Sequence, residues 1–184
     1  MSKAVMISIR PRWCELIANG EKTMEVRKTR PKLETPFKCY IYCSKPRFEH
    51  EDFFALAGKQ GFYGGGEVIG EFVCDGIVWL ARVGFTRRGG EPEYRIANNG
   101  DWESPIGRLL EEACLTEEWV DAYLGGNPGF GWHISDLKIY DTPVDITNFR
   151  NCNGCEYMGD CDTYCWKPMQ RPPQSWCYVE ALET

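Results

Sequence analysis

The sequence predicts a strand-dominated mixed α/β fold: a small β-barrel with flanking helices and a short cysteine-rich metal loop. Three observations lead there. Short apolar, β-branched segments recur along the whole chain, while only a few segments carry helical spacing. Glycines fall inside the longest strand-like segment, where a small barrel needs bulges or sharp bends. Four cysteines crowd into residues 152–165.

The elements follow in chain order. "AVMISIRP" alternates, with Val5, Ile7 and Ile9 on one face and Met6, Ser8 and Arg10 on the other, as a half-buried strand does. Pro11 suits the first position of a helix, where its missing N–H costs nothing. Trp13, Leu16 and Ile17 give that helix an apolar stripe, and Asn19-Gly20 stops it. "NGEKTMEVRK" then continues as a strand with Met24 and Val26 inward and Glu25 and Arg27 outward, ended by Pro31. "FKCYIYCSKP" is a third strand, closed by Pro46. "FEHEDFFALAGKQG" reads as a short helix and loop.

"GEVIGEFVCDGIVWLARV" reads as one long strand or two short ones, with bends at Gly70 and Gly76. Residues 84–104 are rich in Gly, Arg, Glu and Asn and read as a surface excursion. "SPIGRLLEEAC" and "LTEEWVDAYLGG" are helices, the second with Thr116 as N-cap and Gly125 past its end. "FGWHISDLKIYDTPVDI" is a strand and its exit, and "QSWCYVEAL" is the last strand. The domain reading is a barrel over residues 1–149 and 172–184, interrupted by a metal-binding insertion at 150–171.

The 184 residues suffice for one domain with a core of its own, and 14% aromatic and 43% hydrophobic content marks a globular chain. No run approaches the roughly 20 apolar residues of a membrane-spanning helix. The first residues lack the apolar core of a signal peptide, so a cytoplasmic protein is expected. Net charge is −6, but residues 1–47 hold eleven Lys/Arg against four Asp/Glu, and residues 48–184 hold ten against twenty-three. A local basic patch on an acidic protein suits one phosphate or a short RNA strand, and argues against coating duplex DNA.

Arg10, Lys22, Glu25 and Arg27 come from the first two strands and the turn between them. Consecutive strands are usually neighbours, so these residues converge as three cations around one carboxylate. A solvated strand face with cross-strand ion pairs would show the same pattern. Flanking cations favour the ionised form of Glu25, which disfavours it as a general acid at neutral pH. A Glu25–Arg27 pair would instead hold the guanidinium ready for a phosphate or a base edge. Binding therefore requires less special tuning than catalysis. His133 reads as a structural residue with the option of lining a cleft, and Trp132 as a core residue with the option of stacking on a base.

"SIRPRWCELIANGEKTMEVR" resembles the ASCH family of PUA-like domains. The family signature G-x-K-x-x-E-x-R matches Gly20, Lys22, Glu25 and Arg27. The "GEVIGEFV" and "GWHISD" segments fit as well, and the likeness covers most of residues 4–148 and the last strand. The resemblance implies a PUA-like barrel with a cleft lined by Lys22, Glu25 and Arg27 for RNA or a modified nucleoside or nucleotide. It also implies an alternative, since one branch resembles amidohydrolases acting on N4-acetylcytidine and another is linked to RNA cleavage. Such chemistry would rest on Lys22 and Glu25. The amidohydrolase branch places a Thr where this chain has Glu25, and its partner Glu would correspond to Glu117 or Glu118.

The cysteine segment reads Cys152-x2-Cys155-x5-Cys161-x3-Cys165. Four thiolates at this spacing suit one tetrahedral structural zinc ion, which would supply the folding energy of a segment with few apolar residues. An iron–sulfur cluster, disulfides or free thiols are the alternatives, and Cys177 could replace one ligand. The site would be closed, and would clamp the "RPPQSW" segment beside the cleft or present Lys167 and Arg171 to a partner. The other cysteines, Cys14, Cys39, Cys43, Cys74 and Cys114, read as buried small hydrophobes.

Overall fold

A computed structural model describes residues 3–45, 54–55, 62–63, 65–84, 92–98, 101–152 and 168–182. Strand β1 (Lys3–Ile9) leads through helix α1 (Pro11–Ala18) to β2 (Met24–Arg27) and β3 (Phe37–Cys43). Two-residue strands β4 (Phe54–Ala55) and β5 (Phe62–Tyr63) pair with each other. Then come β6 (Glu67–Cys74), β7 (Ile77–Val83), β8 (Glu93–Asn98) and β9 (Asp101–Pro105). Helices α2 (Gly107–Ala113) and α3 (Glu117–Leu124) precede β10 (Gly129–His133), β11 (Ser135–Val144) and the closing β12 (Trp176–Glu180). No helix among the described residues is long and apolar enough to cross a membrane.

The strands form two five-stranded sheets, ordered β11-β6-β3-β1-β12 and β2-β10-β7-β8-β9, where a single closed barrel is the sequence expectation. The break falls between β10 and β11. The segment expected as one strand runs to His133 in the second sheet and resumes at Ser135 in the first. Ile134, between them, donates its N–H to the Thr23 carbonyl at 2.9 Å. One chain stretch thereby serves two sheets and no barrel closes among the described strands.

Strand β1 is an inner strand of its sheet, parallel to β3 and antiparallel to the edge strand β12. Half-burial is the expectation, yet both of its faces are covered. Val5, Ile7 and Ile9 join Cys39, Ile41, Phe72 and Trp132 in one core, and Ala4 and Met6 join Tyr40, Phe149 and Val179 in another. A third core packs Met24 and Val26 of β2 with Leu80 and Tyr94 under Leu109, Val120 and Leu124 of the two helices. Strands β8 and β9 pair antiparallel, where a surface excursion is expected. Tyr94 is the buried anchor of β8 at 2% exposure, in a segment whose charged and amide residues otherwise hide the strand signal.

Several local expectations hold. Thr116 accepts the Trp119 N–H at 3.3 Å, and Gly125 closes α3 at φ +63°. The 66–83 segment is two strands joined at Asp75-Gly76. The ladder skips a residue beside Gly70, where an added Cβ would stand 2.5 Å from the Lys138 carbonyl oxygen. Of the helix expected over 48–61, Phe54–Ala55 is strand and the remainder lies outside the described residues. Cys155, Cys161 and Cys165 also lie outside them. The ends of the cysteine segment are pinned: Arg150 bridges to Pro168, and Cys152 donates its N–H to the Tyr178 carbonyl at 2.9 Å. Among the described residues no three potential ligands come together.

Cys14, Cys39 and Cys74 are fully buried, as expected of small hydrophobes. Burial pushes the Cys14 and Cys39 thiols well up and carries Cys74 to about 12. These groups stay protonated in the fold, whereas unfolded thiols ionise near 8.5. Their contribution to stability is therefore complete below that value and is lost as pH rises through the folded range. Thermal melts in reductant should show a midpoint that is flat from pH 7 to 8 and falls between pH 9 and 11. A Cys74→Ala variant should show a shallower fall than the parent chain.

Candidate functional site: a cleft floored by an ion triad

Strand alternation divides β2. Met24 and Val26 enter the helix-covered core, and Glu25 and Arg27 point the opposite way, into the seam between the sheets. The expected pairing of Glu25 with Arg27 is present, but the face is nearly closed. Glu25 is 6% and Arg27 7% exposed. The Arg27 Nη2 sits 2.9 Å from Glu25 Oε1 and donates to the Ser8 carbonyl at 2.7 Å. Its Nη1 donates to Ser175 Oγ at 3.4 Å, while its Nε is buried with no hydrogen-bond partner.

Lys22 completes the triad from behind. Gly20 at φ +77° ends α1, and the Lys22 N–H bonds the Leu16 carbonyl, which aims the side chain inward. At 2% exposure its Nζ donates to the carbonyls of Met24 (2.9 Å) and Ala113 (2.7 Å) and lies 3.3 Å from Glu25 Oε2. All three ammonium protons thus have partners. Lys22 anchors the carboxylate and does not line the cleft itself.

The cleft above this floor has a volume of about 850 Å³. Three cations, Arg10, Arg27 and Lys45, and two carboxylates, Glu25 and Asp145, line it. Arg10 is exposed at the N-cap of α1, as a rim residue should be. One wall is a strap, residues 170–175, which includes Pro172 and Pro173. Ser8 holds it: its Oγ donates to the Pro173 carbonyl at 2.6 Å, and its N–H to the Ser175 carbonyl at 2.9 Å. This is the "RPPQSW" segment that the sequence sets beside the cleft.

The facing wall is aromatic, and sequence reasoning missed it. Trp119 stacks on Tyr123 at 5.1 Å and 24°, and meets Trp13 edge-on at 5.7 Å. The available signal was the i, i+4 spacing of Trp119 and Tyr123 on one helix. Burial pushes the Tyr123 phenol up, with Arg27 pulling it partly back. Trp132 is fully buried against Phe37 and Trp176, so its ring has no face open to a ligand. His133 bonds Asp75 at 2.6 Å and stands outside the cleft, as do Glu117 and Glu118.

A crystal structure of ASCH from Zymomonas mobilis superposes with a TM-score of 0.55 at 17% identity, over 96% of this chain and 87% of that one. The chain has an ASCH-like fold. A serine-to-alanine mutant of the same Zymomonas mobilis protein superposes at 0.56 and 18% identity, covering 96% and 88%. A tyrosine-to-phenylalanine mutant gives 0.54 and 16%, covering 96% and 90%. No family model and no curated protein matches the chain.

Removing the carboxylate alone leaves two buried cations facing each other. Glu25→Ala should lower the unfolding free energy by about 3–5 kcal/mol in urea titration. A Lys22→Met/Glu25→Gln double variant should lose less than the two single changes summed. A loss under about 1 kcal/mol for Glu25→Ala would mean that water screens the triad.

Proposed function

We propose that this chain binds single-stranded RNA or a modified nucleotide in the cleft above Glu25 and Arg27. One observation carries the reading. A guanidinium held in place by Glu25 and the Ser8 carbonyl lines a cleft whose lining also holds Arg10 and Lys45 and the rings of Trp13, Trp119 and Tyr123. A guanidinium already oriented by protein partners can receive a phosphate or a base edge without losing further side-chain freedom. The rim cations add the attraction for phosphate that fixes a strand without reading its sequence.

The hydrolytic alternative, on an acylated nucleoside or on RNA, draws less support from the same geometry. Both Glu25 oxygens lie against cations, and the Lys22 protons are all engaged. A proton shuttle needs a group with a free valence toward the substrate.

Arg10→Ala and Lys45→Ala change only rim side chains. Each should weaken binding of a short single-stranded RNA to a similar degree whatever its sequence. Each should also reduce the slope of log affinity against log salt by about 0.7. If a broad set of RNAs and nucleotides shows no binding to the parent chain, the reading fails.

We also propose that Cys152, Cys155, Cys161 and Cys165 hold a structural zinc ion. Their spacing supports this, as does the pinning of Cys152 to β12. Elemental analysis of purified protein should find a single equivalent of zinc, and a strong chelator should lower the melting midpoint. Metal-free protein with an unchanged melt would remove the zinc.

A further inference from the structure

We propose that Trp119 is the stacking platform for one unpaired nucleobase in the cleft, an inference that rests on the nucleotide-binding reading above. Trp119 is 40% exposed, one of two large hydrophobic side chains so placed among the described residues. The indole is partly exposed where it lines the cleft, and its amphipathic ring suits stacking on a flat ligand. Of the cleft's other rings, Tyr42 is 4% exposed, and Trp13 and Tyr123 are already engaged. The Trp13 ring has Arg12 at 5.0 Å and Lys22 at 5.3 Å, and the Tyr123 ring has Lys28 at 5.3 Å and Trp119 stacked on it. Among the described residues no cation lies over the Trp119 ring. The ring rests on Tyr123, Trp13 stands at 78° to it, and Trp119 lines the cleft.

Charge decides which flat ligand fits. A quaternary ammonium group would also favour aromatic walls, but Arg10, Arg27 and Lys45 outnumber Glu25 and Asp145 in the lining, and Arg12, Lys22 and Lys28 flank the rings. A neutral heterocycle carrying an anionic phosphate is complementary to both the rings and the cations. Arg10 stands at the N-cap of the helix that carries Trp13, so phosphate and base would be received at the same end of α1. A base stacked there is out of any duplex.

Calorimetry with cytidine 5′-monophosphate, ribose 5-phosphate and choline tests the assignment. The parent chain should bind the nucleotide about tenfold or more tighter than the sugar phosphate, and choline least. Trp119→Ala should reduce nucleotide affinity to that of ribose 5-phosphate, leave the latter unchanged, and keep the parent circular dichroism spectrum. Trp119→Phe should retain most of the nucleotide affinity. Arg10→Ala should weaken both phosphates alike. Nucleotide binding that Trp119→Ala leaves intact would overturn the platform and spare the nucleotide reading. Stronger binding of choline than of the nucleotide, or no nucleotide binding at all, would overturn both.

Discussion

Three charged side chains are buried together, and the rest of the site depends on how they offset one another. Taking Lys22, Glu25 and Arg27 out of water costs several kcal/mol per ion. The cost is tolerable only because Glu25 lies between the two cations and the spare protons reach carbonyls. Those carbonyls belong to different elements: Ala113 to α2, Met24 to β2 and Ser8 to β1. The triad therefore ties both sheets and a helix to one four-residue strand. The arrangement tolerates little displacement, which suits a binding floor more than a moving catalytic group.

The strand, helix and strand at the start of the chain were readable from the sequence because each signal there is local. Pro11 begins α1, Gly20 ends it, and period-two alternation separates Met24 and Val26 from Glu25 and Arg27. The caps of α3, the bulge beside Gly70 and the final strand were legible for the same reason. The missed features are tertiary. Periodicity cannot say that a second layer covers the far face of β1, because Met6 and Ser8 look alike whether they meet solvent or protein. Charged residues at 93–105 disguise a strand pair held by Tyr94. The shift from β10 to β11 is made at Ile134, which carries no turn signature, and it turns an expected barrel into two sheets. Within the site, alternation correctly gave the facing of Glu25 and Arg27. Lys22 came from the same motif, yet its burial depends on Ala113, ninety-one residues away. Trp119 was invisible because an exposed aromatic on a helix looks like part of a core stripe until its neighbours are known.

Ser8 gives the cleft a place in the order of folding. The wall at Pro173 and Ser175 is fastened to a residue of the first strand, 165 positions earlier. Strand β12, which follows that wall, also pairs with β1. Contacts of such separation form slowly, since a long loop must close before they reward it. A ribosome elongating this chain would release α1 and β2, with the cations already in place, well before the residues that complete the wall emerge. During that interval β1 has an uncovered edge and the triad lacks its Ser175 contact. Residues 170–175, which lie more than 160 positions after β1, therefore turn an open, wet groove into a walled one, and the cleft is completed late in folding.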